Sequence, residues 1–379
     1  MATDIQTRLA RLRARRTGTG NLSLEALTES AVIAKSLNTI DGAKVEDWEL
    51  RGKSDQFWTR YALGAMEAVD DTYTRISKET GERVANQLRE RLGRRGVSAE
   101  FKLQGSVPLD VHIRRVSDVD VLALTKDFKT YDRGGAMAKR GAYRNPTDRT
   151  SREVLAELRS QVEADLEDAY PKADVDTTGA KAVKVSGGSL ARSVDVVPAH
   201  WYDTEAYQAS ERQADRVVRI YDKKNAKTID NLPFLHIELI GRRCDGIKGG
   251  LRKAIRLCKT VKADSDRDIK LSSFDIAAIM YHADMDALRM GQYSDLAVLA
   301  ETQRHLDALY QDSNAADKLW VPDGSRRIFD SEEKRTWLLR LSMEMDELLQ
   351  SVYQENFPGQ GASSTARGTQ RELVGLLKV

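Results

Sequence analysis

Three aspartates constrain this chain more than any other feature. Asp118 and Asp120 lie in Ser117-Asp118-Val119-Asp120-Val121-Leu122-Ala123-Leu124, and Asp195 lies in Ser193-Val194-Asp195-Val196-Val197-Pro198. Both stretches read as β-strands. Side chains on a strand repeat every two residues, so Asp118 and Asp120 point to one face. Two like charges on one face of a half-buried strand repel and cost stability unless a cation neutralises them. Asp195, enclosed by Val194, Val196 and Val197, poses the same problem. A third carboxylate on a neighbouring strand would complete a cup of oxygen ligands for hard divalent cations. Such a cup suits two-metal phosphoryl or nucleotidyl transfer. A fold that serves this chemistry has to bring the two stretches side by side.

The bulk numbers narrow the setting. A chain of 379 residues makes one large or two ordinary domains, and 41% apolar residues are enough for a core with amphipathic helices around it. The 60 basic and 58 acidic residues nearly balance, which argues against a protein that coats nucleic acid, though a local basic groove is compatible with it. Cys244 and Cys258 are the only cysteines, so no extracellular disulfide framework is indicated and a reducing cytoplasm is expected. The five histidines form no zinc signature. No apolar run approaches the roughly 18 residues of a membrane span, and the basic N-terminus lacks the apolar segment of a secretory signal.

Along the chain, Ile5, Leu9 and Leu12 recur at helical spacing among Arg8, Arg11, Arg13, Arg15 and Arg16, which predicts a short basic amphipathic helix. Gly18-Thr19-Gly20-Asn21 should break it, and Ser23-Leu24-Glu25-Ala26 reads as another helix start. Residues 54–94 read as the longest helical stretch, capped by Ser54. Residues 99–103 alternate as a strand that runs into Gly105-Ser106. Residues 127–149 read as an exposed loop and 150–169 as a helix with Val154, Leu155, Leu158, Val162 and Leu166 on one face. Residues 182–185 and 191–198 flank Gly187-Gly188 in a hairpin pattern that delivers Asp195 on its second arm. Helical spacing recurs over 249–263, 272–290, 294–311 and 331–354. Residues 358–371 read as a flexible linker.

A Gly-Ser turn after a strand can offer backbone N–H groups and a hydroxyl to phosphate oxygens. Taken singly, the Gly-Ser pair is a plain turn and the Asp-x-Asp pair a solvated strand end. The combination is specific: Gly105-Ser106, eleven residues, Asp118-Val119-Asp120, then a lone strand aspartate. Trp201 and Tyr202, just after the third aspartate, could stack on a base or pack in the core.

The run from Gly105-Ser106-Val107 through Ile113-Arg114 to Asp118-Val119-Asp120 resembles the signature of the DNA polymerase β-like nucleotidyltransferases. It is closest to the oligoadenylate synthase and cyclic GMP–AMP synthase branch. Ser193 to Pro198 looks like that branch's third-aspartate strand. Gly249-Gly250-Leu251-Arg252-Lys253-Ala254-Ile255-Arg256-Leu257-Cys258-Lys259 resembles its helix whose lysine contacts the nucleotide triphosphate, and Leu271-Ser272-Ser273-Phe274 its following helix start. In size and layout the bacterial CD-NTases of antiphage signalling are the nearest match. Where relatives in the oligoadenylate synthase group carry a Gly-Thr pair, this chain has Leu109-Asp110-Val111, and it has no inserted cysteine/histidine zinc module.

The resemblance implies an α+β fold: a nucleotidyltransferase core with a mixed sheet and helices, a C-terminal helical domain, and an active site in the cleft between lobes. It implies an N-terminal extension over 1–50, the core over 51–210, the helical domain over 211–357 and a flexible tail over 358–379. It implies Asp118, Asp120 and Asp195 as catalytic metal ligands for two Mg²⁺ ions, with Mn²⁺ able to substitute. Gly105, Ser106, Lys259 and Ser273 would bind the nucleotide. For Lys259 the bland alternative is a solvated basic face, and for Ser273 a helix cap. The implied substrates are nucleoside triphosphates, ATP among them, and the product a cyclic di- or trinucleotide second messenger read by a downstream effector. A regulatory protein or nucleic acid could meet the basic N-terminal face, and the location would be cytoplasmic. The rival expectations are transfer of a nucleotide to tRNA, a protein or a small molecule, and an idle nucleotide-binding sensor.

Overall fold

The computed structural model describes residues 4–17, 46–144, 146–359 and 364–379. The break at Gly18–Asn21, the helix start at Ser23–Ala26 and the middle of the 358–371 segment lie outside the described residues. The chain forms two compact units: one from residues 70–110 and 117–239, the other from residues 1–69, 111–116 and 240–379.

The first unit is built on a seven-stranded mixed sheet. Its strands are β1 (Ala99–Gln104), β2 (Val119–Tyr131), β3 (Asp174–Asp176), β4 (Val183–Ser186), β5 (Val194–Asp203), β6 (Val217–Asp222) and β7 (Lys227–Asn231). They run in the order β1-β2-β5-β4-β3, with β6 paired to β5 and β7 to β6. β2 and β5 are parallel, and the other pairs are antiparallel. The hairpin expected around Gly187-Gly188 is present as β4 and β5, with Val185 opposite Val194.

Two helices cover one face of this sheet. The Asp71–Arg94 helix starts where the Asp70 carboxylate accepts the Tyr73 N–H, and it buries Tyr73, Ser77, Val84, Leu88 and Leu92 at helical spacing. The Ser151–Ala169 helix opens with a capping box between Thr150 and Glu153 and buries Val154, Leu155, Leu158, Val162 and Leu166, the predicted face. Val84, Leu88, Leu92, Leu158, Val162 and Leu166 join Val119, Val121, Val194 and Val196 in one core. On the opposite face Leu122, Leu124, Val197, Ala199 and Trp201 form a second cluster with Val218 and Ile220.

The second unit is helical. Its main helices are Ile5–Thr17, Phe57–Met66, Gly250–Asp264, Ser273–Tyr281, Asp295–Gln311, Glu332–Asn356 and Arg367–Gly375. Inside it, Gly250 is required: a Cβ there would lie 2.1 Å from the Leu288 carbonyl oxygen.

Several expectations need correction. The 54–94 stretch is two helices, because Asp70 caps a new one instead of continuing the old. Gln56, not Ser54, precedes the first. The 272–290 stretch likewise breaks, where Asp284 takes the N–H groups of Asp286 and Ala287. The 127–149 loop is partly ordered, since β2 runs on to Tyr131 and a short helix spans Ala136–Lys139. Residues 51–69 belong to the helical unit, whereas β6 and β7, placed by sequence in a helical domain from 211, extend the sheet. The tail expected over 358–379 contains the Arg367–Gly375 helix, with Val374 fully buried. Local capping by Asp70 and Asp284 decides the helix breaks, and pairing between distant segments decides the extension of the sheet by β6 and β7.

Candidate active site

Strand register assembles the site. Asp120 on β2 lies beside Asp195 on β5 in the parallel pair. Lys184 on β4 lies opposite Asp195, and Asp176 on β3 lies opposite Lys184. Gln104, the last residue of β1, lies opposite Asp120. A single row across five strands therefore reads Gln104, Asp120, Asp195, Lys184, Asp176. Residues directly opposite in a sheet share a face. The row lies on the face of Leu122 and Val197, away from the helix-covered core, because Val119, Val121, Val194 and Val196 turn the other way.

Asp118 precedes β2 by one residue, and its Oδ2 accepts a hydrogen bond from Lys184 Nζ at 2.6 Å. The side chains of this pair are 30% and 42% exposed. Partial burial works against the Lys184 charge, but the Asp118 bond and the nearby carboxylates hold the ammonium charged, raising its pKa. Asp195 is driven the other way: burial, then the Asp118 charge, raise its carboxyl above the usual range. Its Oδ1 is buried with no hydrogen-bond partner among the described residues.

Gly105 begins the turn after β1 at φ +76°, and a Cβ there would meet Asp120 Oδ2 at 2.2 Å. The glycine thus serves both the left-handed backbone and the approach of the turn to the carboxylate. Ser106 follows in the same turn. The structure therefore brings Gly105, Ser106, Asp118, Asp120 and Asp195 together in one unit.

The donor chemistry fits hard divalent cations. Two carboxylates on adjacent strands, about 5 Å apart, repel by roughly 3 kcal/mol at an effective dielectric near 20. A half-exposed lysine pair returns about 1 kcal/mol at most. The excess negative charge and the unpartnered Asp195 Oδ1 suit oxygen-seeking dications. The carboxylates are not drawn into a closed shell: among the described residues no three His, Cys, Asp or Glu side chains are arranged to hold a metal as they stand.

Lys259 and Ser273 lie in the helical unit. Lys259, on the Gly250–Asp264 helix, is 4% exposed and donates from Nζ to the Val111 carbonyl at 2.7 Å. It is not on a solvated basic face: its neighbour Arg256 is also buried, donating to the Met66 carbonyl at 2.8 Å. Ser273 is the exposed first residue of its helix, and the cap is Ser272, whose side chain accepts the Asp275 N–H. Trp201 is a core residue, with the Arg216 guanidinium over its ring at 4.6 Å. Sequence reasoning missed Lys184. Its signal was a lysine between Val183 and Val185 on the arm paired with the Asp195 strand, but only the register shows which residue it faces.

No protein-family model matches the chain. A cyclic dinucleotide synthase CdnE from Yersinia aleksiciae is 44% identical over 362 residues, 92% of each chain. A c-di-GMP synthase from a Lachnospiraceae bacterium is 30% identical over 305 residues, covering 74% of this chain and 84% of the relative. Among solved structures, the STING-associated CdnE c-di-GMP synthase from Capnocytophaga granulosa superposes with TM-score 0.69 at 27% identity, covering 94% of this chain and all of that one.

Proposed function

The chain belongs to the CdnE-type cyclic dinucleotide synthases of the CD-NTase nucleotidyltransferases, and from that membership we propose that it joins two nucleoside triphosphates, ATP among them, on the face that carries Asp118, Asp120 and Asp195. The observation that carries the reading is the register row that sets Asp120 beside Asp195, with Gly105 closing on Asp120.

In this reading the Gly105 turn and the Ser106 hydroxyl bind phosphate oxygens. Asp118 and Asp120 orient the triphosphate end, and Asp195 orients the acceptor hydroxyl. Lys259 and Ser273 keep the triphosphate-binding role that the resemblance implies for them. Divalent metal use is general in the family. Two Mg²⁺ ions, with Mn²⁺ as substitute, would be held by the three carboxylates and would supply charge neutralisation to the attacking and leaving oxygens. The product is a cyclic dinucleotide, and pyrophosphate leaves at each transfer. The relatives' named activity favours ring closure over transfer to tRNA, protein or a small molecule, and over an idle sensor. The STING association named for the Capnocytophaga granulosa protein points to an effector of that kind as the reader of the product. Among the described residues no helix is long and apolar enough to cross a membrane. We place the reaction in the cytoplasm, where its substrates are held.

The test is mass spectrometry of products from a mixture of the four nucleoside triphosphates with Mg²⁺ or Mn²⁺. Phosphatase-resistant cyclic dinucleotides with pyrophosphate are expected, and Asp118→Ala with Asp120→Ala should abolish them. Linear or protein-linked products alone, or unchanged turnover in the double variant, would overturn the reading.

A further inference from the structure

The row across the sheet contains one positive charge among three carboxylates, and Asp118 adds a fourth. Lys184 sits between Asp195 and Asp176 in register and donates to Asp118 Oδ2 at 2.6 Å. Its position is set by the backbone. Val183 and Val185, both fully buried, point into the helix-covered core and turn Lys184 to the carboxylate face. A lysine between two buried valines has no other side to occupy, so the ammonium is delivered to the trio by the fold.

A cation built into a cup of carboxylates has a consequence. A bound dication and this ammonium compete for the same oxygens and repel each other. We propose that Lys184 is a positioning residue that acts as an internal counter-ion: it holds Asp118 against β4 when no metal is bound and lowers the affinity of the site for free divalent cation. The proposal rests on the metal reading of the three aspartates. It assigns Lys184 a job apart from phosphate binding, and it involves no covalent step. Because the Lys184 side chain is 42% exposed, replacing it leaves the two valine anchors and the fold in place.

The experiment is calorimetric titration of the full, nucleotide-free chain with Mn²⁺, compared across Lys184→Met, Lys184→Gln, Lys184→Arg and Asp118→Asn. Lys184→Met and Lys184→Gln keep much of the side-chain length without charge and should bind Mn²⁺ roughly two- to fivefold more tightly than the parent, the range that follows from losing one partly exposed ion pair. Lys184→Arg retains the charge and should stay near the parent. Asp118→Asn should bind more weakly. A lysine with only a structural role would leave Mn²⁺ affinity unmoved in all three lysine variants. Unmoved or weaker binding in the neutral variants, or equal tightening in Lys184→Arg, overturns the counter-ion role while the metal reading survives. Unchanged binding in Asp118→Asn overturns the metal reading itself.

Discussion

At Gly105 two requirements coincide. The backbone adopts φ +76°, which costs an L-residue roughly 1 kcal/mol, and a Cβ would press to 2.2 Å from Asp120 Oδ2. Gly105→Ala should therefore displace the carboxylate or the turn, and with it product formation. A melting temperature near the parent with lost cyclic dinucleotide synthesis is the expected pattern, whereas full activity would show that the close approach is dispensable. Asp195 presents the opposite case, a residue kept against stability. Its carboxylate is part-buried, repelled by Asp118 and left with one unpartnered oxygen. Asp195→Asn removes the charge, and in EDTA the variant should be more stable by about 1 kcal/mol, read as a higher urea midpoint, while synthesis is lost. A less stable variant would mean that Asp195 has a structural partner after all.

At the scale of elements, β5 does most to organise the site. Its first residues pair with β4, its last with β6, and its whole length with β2. His200 lies on it, fully buried, with Nδ1 at 2.9 Å from the Trp201 carbonyl and the Phe128 ring edge-on at 4.9 Å. Burial holds its pKa down to about 4 against an ordinary value of 6.5. The folded value lies below the unfolded one, so the neutral ring supports the fold fully above pH 6.5. That support is lost as pH falls toward 4, where the unfolded chain takes up the proton first. The loss amounts to about 3 kcal/mol at most. Urea midpoints between pH 7 and 4 should fall less steeply in His200→Gln than in the parent, and equal slopes would reject this account. His305, in the helical unit and also held near pH 4 by burial, contributes with the same sign to both proteins. The helices were easier to foresee than the strand partners: the faces of 150–169 and 249–263 follow from spacing alone, but the edge extension by β6 and β7 required a partner to be known.

At the scale of the molecule, the chain begins and ends in the same unit. The first helix, read as a basic extension that could meet nucleic acid, is part of that unit's core. Leu9 and Leu12 are buried, Arg8 meets Glu344 at 2.6 Å, and Arg15 grips both oxygens of Asp264, which also accepts the Tyr61 hydroxyl. Arg11, Arg13 and Arg16 pair with Asp266, Glu49 and Glu46. Removing residues 1–17 leaves the buried Asp264 without its cation, at a cost of roughly 3–5 kcal/mol, and takes Arg8 from Glu344, which keeps Arg267 and Ser265. The shortened chain should melt far below the parent or fail to melt cooperatively by circular dichroism. A truncated chain that melts like the parent would restore the reading of a loose extension. The last helix is anchored in the same way, with Arg371 reaching Asp307 at 2.6 Å.

The sequence alone determined the local facts: which strands carry Asp120 and Asp195, where the Gly-Ser turn falls, and which helix faces are apolar. These follow from periods of two and 3.6 residues, which need no knowledge of distant partners. Only the tertiary structure decided that Asp195 lies beside Asp120, that Lys184 completes the row, and that the arginines of the first helix face inward. Register and ion pairing join residues tens to hundreds of positions apart, and that proximity is a property of the folded chain with no local pattern to announce it.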